Sequence, residues 1–183
     1  KKTKINTCKN EKCKKSFSSQ KFNRAKFHSD ICRSAYSRDA KMWEIGQKKL
    51  LSQDMLFIEE RIVGIGKIGY FDALILNKKN NNVVAMVELS YSDIDHKSLK
   101  WRNMEKAIYV RLQDLNKNQN INHAFLINKN GKIFSWDIKK KIRGEEIKNL
   151  PNINDMSKSN LKLNDELKNL IDSNYKIYEP IKR

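Results

Sequence analysis

The 183-residue chain carries 38 Lys and Arg against 21 Asp and Glu, a net charge of +17, and 39% of its residues are hydrophobic. That share suffices for one medium core plus a small module, while only 6 Gly and 2 Pro exclude collagen-like and linker-like chains. No run of about 18 apolar residues is present to cross a membrane.

The charge is uneven, since residues 1 to 41 hold thirteen Lys or Arg against three acids. A surface of this sign selects polyanions, because each Lys or Arg laid on nucleic acid releases condensed counterions. The N-terminal stretch is polar and basic, with no apolar signal segment, so an intracellular location is expected: cytoplasm, nucleoid or organelle matrix.

All three cysteines fall in this basic segment. Together with His28 they read Cys8, Cys13, His28, Cys32, or C-x4-C-x14-H-x3-C. An odd number of thiols leaves a disulfide framework open, whereas two close pairs separated by a loop suit tetrahedral zinc. The second pair has i, i+4 spacing, so His28 and Cys32 can face one metal from a helix start. Phe17, Phe22 and Phe27 supply a small apolar cap, and Ser29 or Asp30 can cap that helix. A module of about 35 residues buries too little surface to fold unaided, so structural zinc would supply the missing stability. The stretch resembles treble-clef zinc fingers of the C-x(2-4)-C…F…YCS-x-x-C kind, with "FHSDIC" in the place of the second pair and His28 replacing a cysteine. Lys12, Lys14, Lys15, Lys21, Arg24, Lys26, Arg33 and Arg38 surround the ligands and are the expected phosphate contacts.

Beyond residue 41 the pattern predicts a helix from Met42 to Ile58, through Trp43, Leu50, Leu51 and Met55. Three strands follow, at Ile62–Ile65, Tyr70–Leu76 and Val83–Ser90, with Asn77–Asn82 as a hairpin loop. "GIGKIGY" joins two strands rather than opening a helix, which makes it a turn and not a phosphate cradle. A helix over 97–115 aligns Trp101, Met104, Ile108, Leu112 and Leu115. "HAFLINKNGKIFSWDI" is a hairpin turning at Asn130-Gly131. A last helix near Leu161–Tyr175 aligns Leu163, Leu167, Leu170 and Ile171.

The expected class is therefore α/β. A treble-clef-like finger (1–41) precedes a mixed-sheet α-β-β-β-α-β core flanked by helices (42–140), and a linker with a C-terminal helix ends the chain (141–183).

Strand alternation and the hairpin bring Asp72 and Glu88 to adjacent strands on a shared face. Glu88 sits inside "VVAMVELS", where a buried charge is costly unless paired or metal-bound. Two such carboxylates can hold Mg²⁺ or Mn²⁺ and activate a water for attack on phosphate. On "GYFD", "VELS" and the order of elements, residues 42 to 137 resemble the PD-(D/E)xK (restriction-endonuclease-like) nuclease superfamily. The resemblance implies that Asp72 and Glu88 are the motif acids and that the helix acid is Glu44, with Glu59 and Glu60 as the next candidates. Ser90 stands where that family has its lysine, so Lys97 or Lys100 is expected to take that role if catalysis is retained.

The function implied is a metal-dependent endonuclease that grips DNA through its finger, DNA being favoured over RNA, without membrane association. A homodimer or larger assembly is compatible with this reading. The alternative is a non-catalytic nucleic-acid-binding protein on a degenerate nuclease fold, such as an RNA-binding component of a ribosome-like particle. For the finger, elemental analysis is expected to find one zinc per wild-type chain and a large loss in Cys13→Ser. A zinc-free wild type would remove the assignment.

Overall fold

Aliphatic runs broken by Asn, Gly and Lys clusters set the strands of this chain. A computed structural model describes residues 4–7, 16–19, 30–50, 55–59, 71–92 and 98–162. Residues 1–41 belong to one unit, and residues 42–177 form another.

In the first unit, β1 (Lys4–Thr7) pairs antiparallel with β2 (Ser16–Ser19), Thr7 standing opposite Ser16. The helix α1 runs from Asp30 to Leu50. It therefore starts twelve residues before the expected Met42 and stops short of Ile58. Met55–Glu59, read as the end of that helix, is instead the strand β3. A run such as "MLFIE" is too short for periodicity to separate strand from helix, and strand pairing decides it. The expected strand at Ile62–Ile65 lies outside the described residues. Of the last helix expected near Leu161–Tyr175, Leu161 and Lys162 are not helical, Lys162 forming a bridge with Asn82, and the residues from 163 on lie outside the described ones.

Next come β4 (Ala73–Asn77), β5 (Val83–Ser90), the helix α2 (Leu99–Gln119), β6 (His123–Asn128), β7 (Ile133–Asp137) and β8 (Ile142–Ile147). They build a six-stranded mixed sheet with β3 in the order β3-β4-β5-β6-β7-β8. Every neighbouring pair is antiparallel except β5–β6, which is parallel and therefore requires the crossover helix α2. The sequence placed β5, α2 and the β6–β7 hairpin correctly. Gly131 takes the left-handed conformation the hairpin turn demands (φ 76°).

β8 falls in the segment expected to be a linker. "IRGEEI" lacks alternation and carries a glycine, both reasons to pass over it, yet it completes the sheet edge. Gly144 is the extra residue of a bulge: Arg143 stands opposite Trp136, whereas Glu145 stands opposite Ser135. Its φ is 66°, and a Cβ there would sit 2.9 Å from the Trp101 ring.

Helix α2 begins at Ser98, whose hydroxyl accepts from the Trp101 N–H (3.1 Å), and ends at Asn120 in the left-handed region (φ 55°). Its buried stripe, Trp101, Ile108, Leu112 and Leu115, packs on Leu74, Leu76, Met86, Ala124, Leu126, Phe134 and Trp136 of the sheet. On one flank Glu105 locks the helix to the sheet. Its carboxylate accepts from Arg143 Nε (2.8 Å), Arg143 Nη2 (2.9 Å) and Trp136 Nε1 (3.2 Å), while the guanidinium lies 3.7 Å above the Tyr109 ring.

The chain after β8 returns to the β4–β5 turn. Asn82 Nδ2 donates to the carbonyls of Ser159 (2.8 Å) and Leu161 (3.1 Å), and the Ser159 N–H donates to Asn82 Oδ1 (3.0 Å). The Ser157 N–H donates to His123 Nε2 (3.2 Å), giving His123 a structural role.

Gly144→Ala combines strain at positive φ with a clash against Trp101, and is expected to destabilise the fold by about 1–3 kcal/mol. Urea unfolding followed by tryptophan fluorescence measures it. An unchanged midpoint would show that the bulge does not need its glycine.

Candidate active site

β4 and β5 place the two expected acids. Ala73 stands opposite Val87 and Leu74 opposite Met86, so one step further brings Asp72 opposite Glu88. This is a cross-strand pair on the face that Leu74 and Met86 present to α2. The Asp72 carboxylate is held by the Leu89 N–H, which donates to Oδ2 at 2.8 Å. The pair therefore lies at the carboxyl end of β5, beside the parallel β6, where Glu88 adjoins Leu126 and Ser90 adjoins Asn128. Crevices at the carboxyl ends of parallel strands are the usual location of ligands in α/β sheets.

The third member of the cluster comes from α2. Arg111 Nη1 lies 3.6 Å from Glu88 Oε2, and its guanidinium sits 6.0 Å over the centre of the Phe71 ring. The Glu88 side chain keeps 25% of its exposure and that of Arg111 35%. Burial pushes the Glu88 carboxyl up to about 8, and the neighbouring Asp72 charge pushes the same way, while Arg111 opposes both. Two oxygen-rich carboxyls that disfavour each other's charge suit a hard divalent cation, which would relieve both penalties.

The remaining expected residues are distributed as follows. Ser90 is half-buried, and its hydroxyl accepts from the Ser92 N–H at 3.3 Å. Lys100 is exposed and donates to Ser92 Oγ at 3.1 Å, so it reaches the segment just past Ser90 rather than Glu88. Lys97 lies outside the described residues. Glu44 is exposed on α1, and among the described residues no group of three or more His, Cys, Asp or Glu side chains comes together. Of the finger ligands, Cys8, Cys13 and His28 lie outside the described residues, as do Lys12, Lys14, Lys15, Lys21, Arg24 and Lys26. Cys32 and Arg33 are described only as part of the α1 backbone, and Arg38 is exposed on it.

Sequence reasoning did not single out Arg111, the cation that meets Glu88. The signal was present: Met104, Ile108, Arg111 and Leu115 follow 4-3-4 spacing along one flank of α2. A basic residue interrupting an apolar stripe marks an acid beneath it.

No protein-family model, no curated protein and no solved structure matches the chain. Among the described residues, no helix is long and apolar enough to cross a membrane.

A carboxyl raised in the folded state stabilises the fold below its unfolded value and loses that contribution as pH rises through its folded value. For Glu88 the window runs from the ordinary value of 4.5 to about 8. Glu88→Gln cannot ionise, so without added divalent metal its melting temperature should exceed that of wild type by a margin that grows across this window and then levels. A margin that is flat from pH 5 to pH 9 would place Glu88 in a solvated setting instead.

Proposed function

We propose that this chain is a metal-dependent nuclease whose Asp72 and Glu88 hold a divalent cation at the carboxyl end of β5, with an N-terminal zinc finger that grips nucleic acid. The reading is carried by one observation: two acids sixteen positions apart meet as a cross-strand pair at the end of strands whose neighbouring residues, Ala73–Leu76 and Val83–Val87, are apolar and buried. The order α1, β3, β4, β5, α2, β6 supports it, since it reproduces the helix–three strands–helix–strand sequence of the PD-(D/E)xK resemblance. The net charge of +17 supports a polyanionic substrate.

A divalent cation in this site would polarise a phosphate oxygen and lower the pKa of a bound water. The chain's own contribution is positional. The Leu89 N–H fixes one oxygen of Asp72, and the sheet fixes Glu88 opposite it. Apolar walls of Phe71, Met86 and Leu126 lower the local dielectric around them, which strengthens each charge interaction.

The finger rests on the geometry flanking its ligands. β1 and β2 pair with Thr7 opposite Ser16, so Cys8 and Cys13 belong to the segment joining two strands of a hairpin. α1 starts at Asp30, which puts Cys32 in its first turn. Two paired strands flanking Cys8 and Cys13 in the chain, and a cysteine in the first turn of a helix, support the treble-clef reading.

A second reading has its own support in Ser90 and in the Arg111–Glu88 ion pair. In it the sheet binds nucleic acid without cutting, as one component of a larger particle.

Incubation of the full chain with plasmid DNA and with structured RNA, in Mg²⁺ or Mn²⁺, separates the two. Nuclease function predicts cleavage that falls at least about 100-fold in both Asp72→Ala and Glu88→Ala. Intact nucleic acid shifted on a gel by wild type and by both variants alike would establish the binding protein instead.

A further inference from the structure

Among the described residues, two Arg–Glu pairs tie α2 to the sheet, and they are built differently. Arg143 grips Glu105 through two nitrogens at 2.8 and 2.9 Å, with its face on Tyr109. That fork is closed, and its charge is committed to holding the helix. Arg111 meets Glu88 through one nitrogen at 3.6 Å, a distance of charge attraction without a hydrogen bond. Phe71, next in the chain to Asp72, lies under its guanidinium at 6.0 Å, so a ring face adds to the carboxylate in holding the charge there. About a third of the Arg111 side chain remains open to solvent, beside the two acids.

We propose that Arg111 is the phosphate-binding residue of the acidic site: it rests on Glu88 in the metal-free chain, yields that carboxylate to a divalent cation, and then holds the non-bridging oxygens of the bound phosphodiester. This rests on the nuclease reading of Asp72 and Glu88. The chemistry follows from the charges. With only the two acids present, Arg111 is their counter-ion. When a cation takes Glu88, the guanidinium and the metal repel each other, and an anion that bridges both is the arrangement that relieves the repulsion. A phosphodiester has the required pair of oxygens and matches the planar fork of arginine. The position also answers the loss of the motif lysine. Ser90 carries no charge, whereas Arg111 of α2 supplies one beside the acids.

Two measurements on the full zinc-loaded chain test this: the affinity for Mn²⁺ by calorimetry, and the hydrolysis of an oligonucleotide in saturating Mn²⁺. Arg111→Ala should bind Mn²⁺ about tenfold more tightly, because a competing charge is gone, and should cleave about 100-fold more slowly. Arg111→Lys keeps the charge, so it should bind Mn²⁺ as wild type does while recovering only part of the rate, since its ammonium cannot grip two oxygens. Matching melting temperatures establish that each variant is folded, and Arg111→Gln serves in place of the alanine variant if that one fails to fold. Unchanged or weaker Mn²⁺ binding by the neutral variants overturns the competition between Arg111 and the cation, and wild-type hydrolysis by them overturns the phosphate contact. Asp72→Ala guards the underlying reading. If it binds Mn²⁺ as wild type does, the metal is elsewhere, and the nuclease assignment falls together with the role given to Arg111. If Mn²⁺ binds at Asp72 but wild type cuts nothing, cleavage fails alone, and tighter Mn²⁺ binding by Arg111→Ala with weaker oligonucleotide binding would still support the contact.

Discussion

Glu105 fixes the pose of α2, and the pose of α2 decides what the sheet can do. Its carboxylate collects Arg143 from β8 and the indole N–H of Trp136 from β7 on one flank of the helix. Those hydrogen bonds hold Glu105 below the usual carboxylate range, so it stays charged through the neutral range. With that flank fastened to the outer strands, the opposite flank must lie over β5 and β4, and Arg111 arrives above Glu88. A parallel β5–β6 pair needs a crossover, here a helix, and the buried stripe and the ion-pair lock together set its rotation.

Close approach at the Trp101 end serves the same geometry. The ring meets Phe134 edge-on, with centroids 4.8 Å apart, and reaches the backbone of β8 only because position 144 has no side chain. The bulge thus does more than end a ladder. It lets the helix sink onto β7 and β8 at its start.

Parts of this were legible in the residues and parts were not, for physical reasons. β5 announced itself as "VVAMVELS", an aliphatic run buried along its first five positions, and α2 by a stripe at helical spacing. The pairing of Asp72 with Glu88 followed from alternation and a short hairpin. β3 and β8 were hidden because edge strands draw on partners rather than on their own pattern, and "IRGEEI" keeps its charges on an open edge. Arg111 was hidden because its partner lies 23 residues away in the chain, across a crossover that no local period encodes. The finger is the reverse case: its ligands were read from spacing alone, and Cys8, Cys13 and His28 lie outside the described residues.

The tie between Asn82 and residues 159 to 161 spans 77 to 79 positions of chain. During synthesis the β4–β5 hairpin leaves the ribosome long before that segment exists, with the Asn82 amide and the Val83 N–H still without their final acceptors. The acidic pair therefore forms on a hairpin that is provisional until the whole sheet has emerged. A chain stopped short of Ser159 would carry both acids and the helix above them, yet would leave a polar gap at the opposite end of the hairpin that water has to fill.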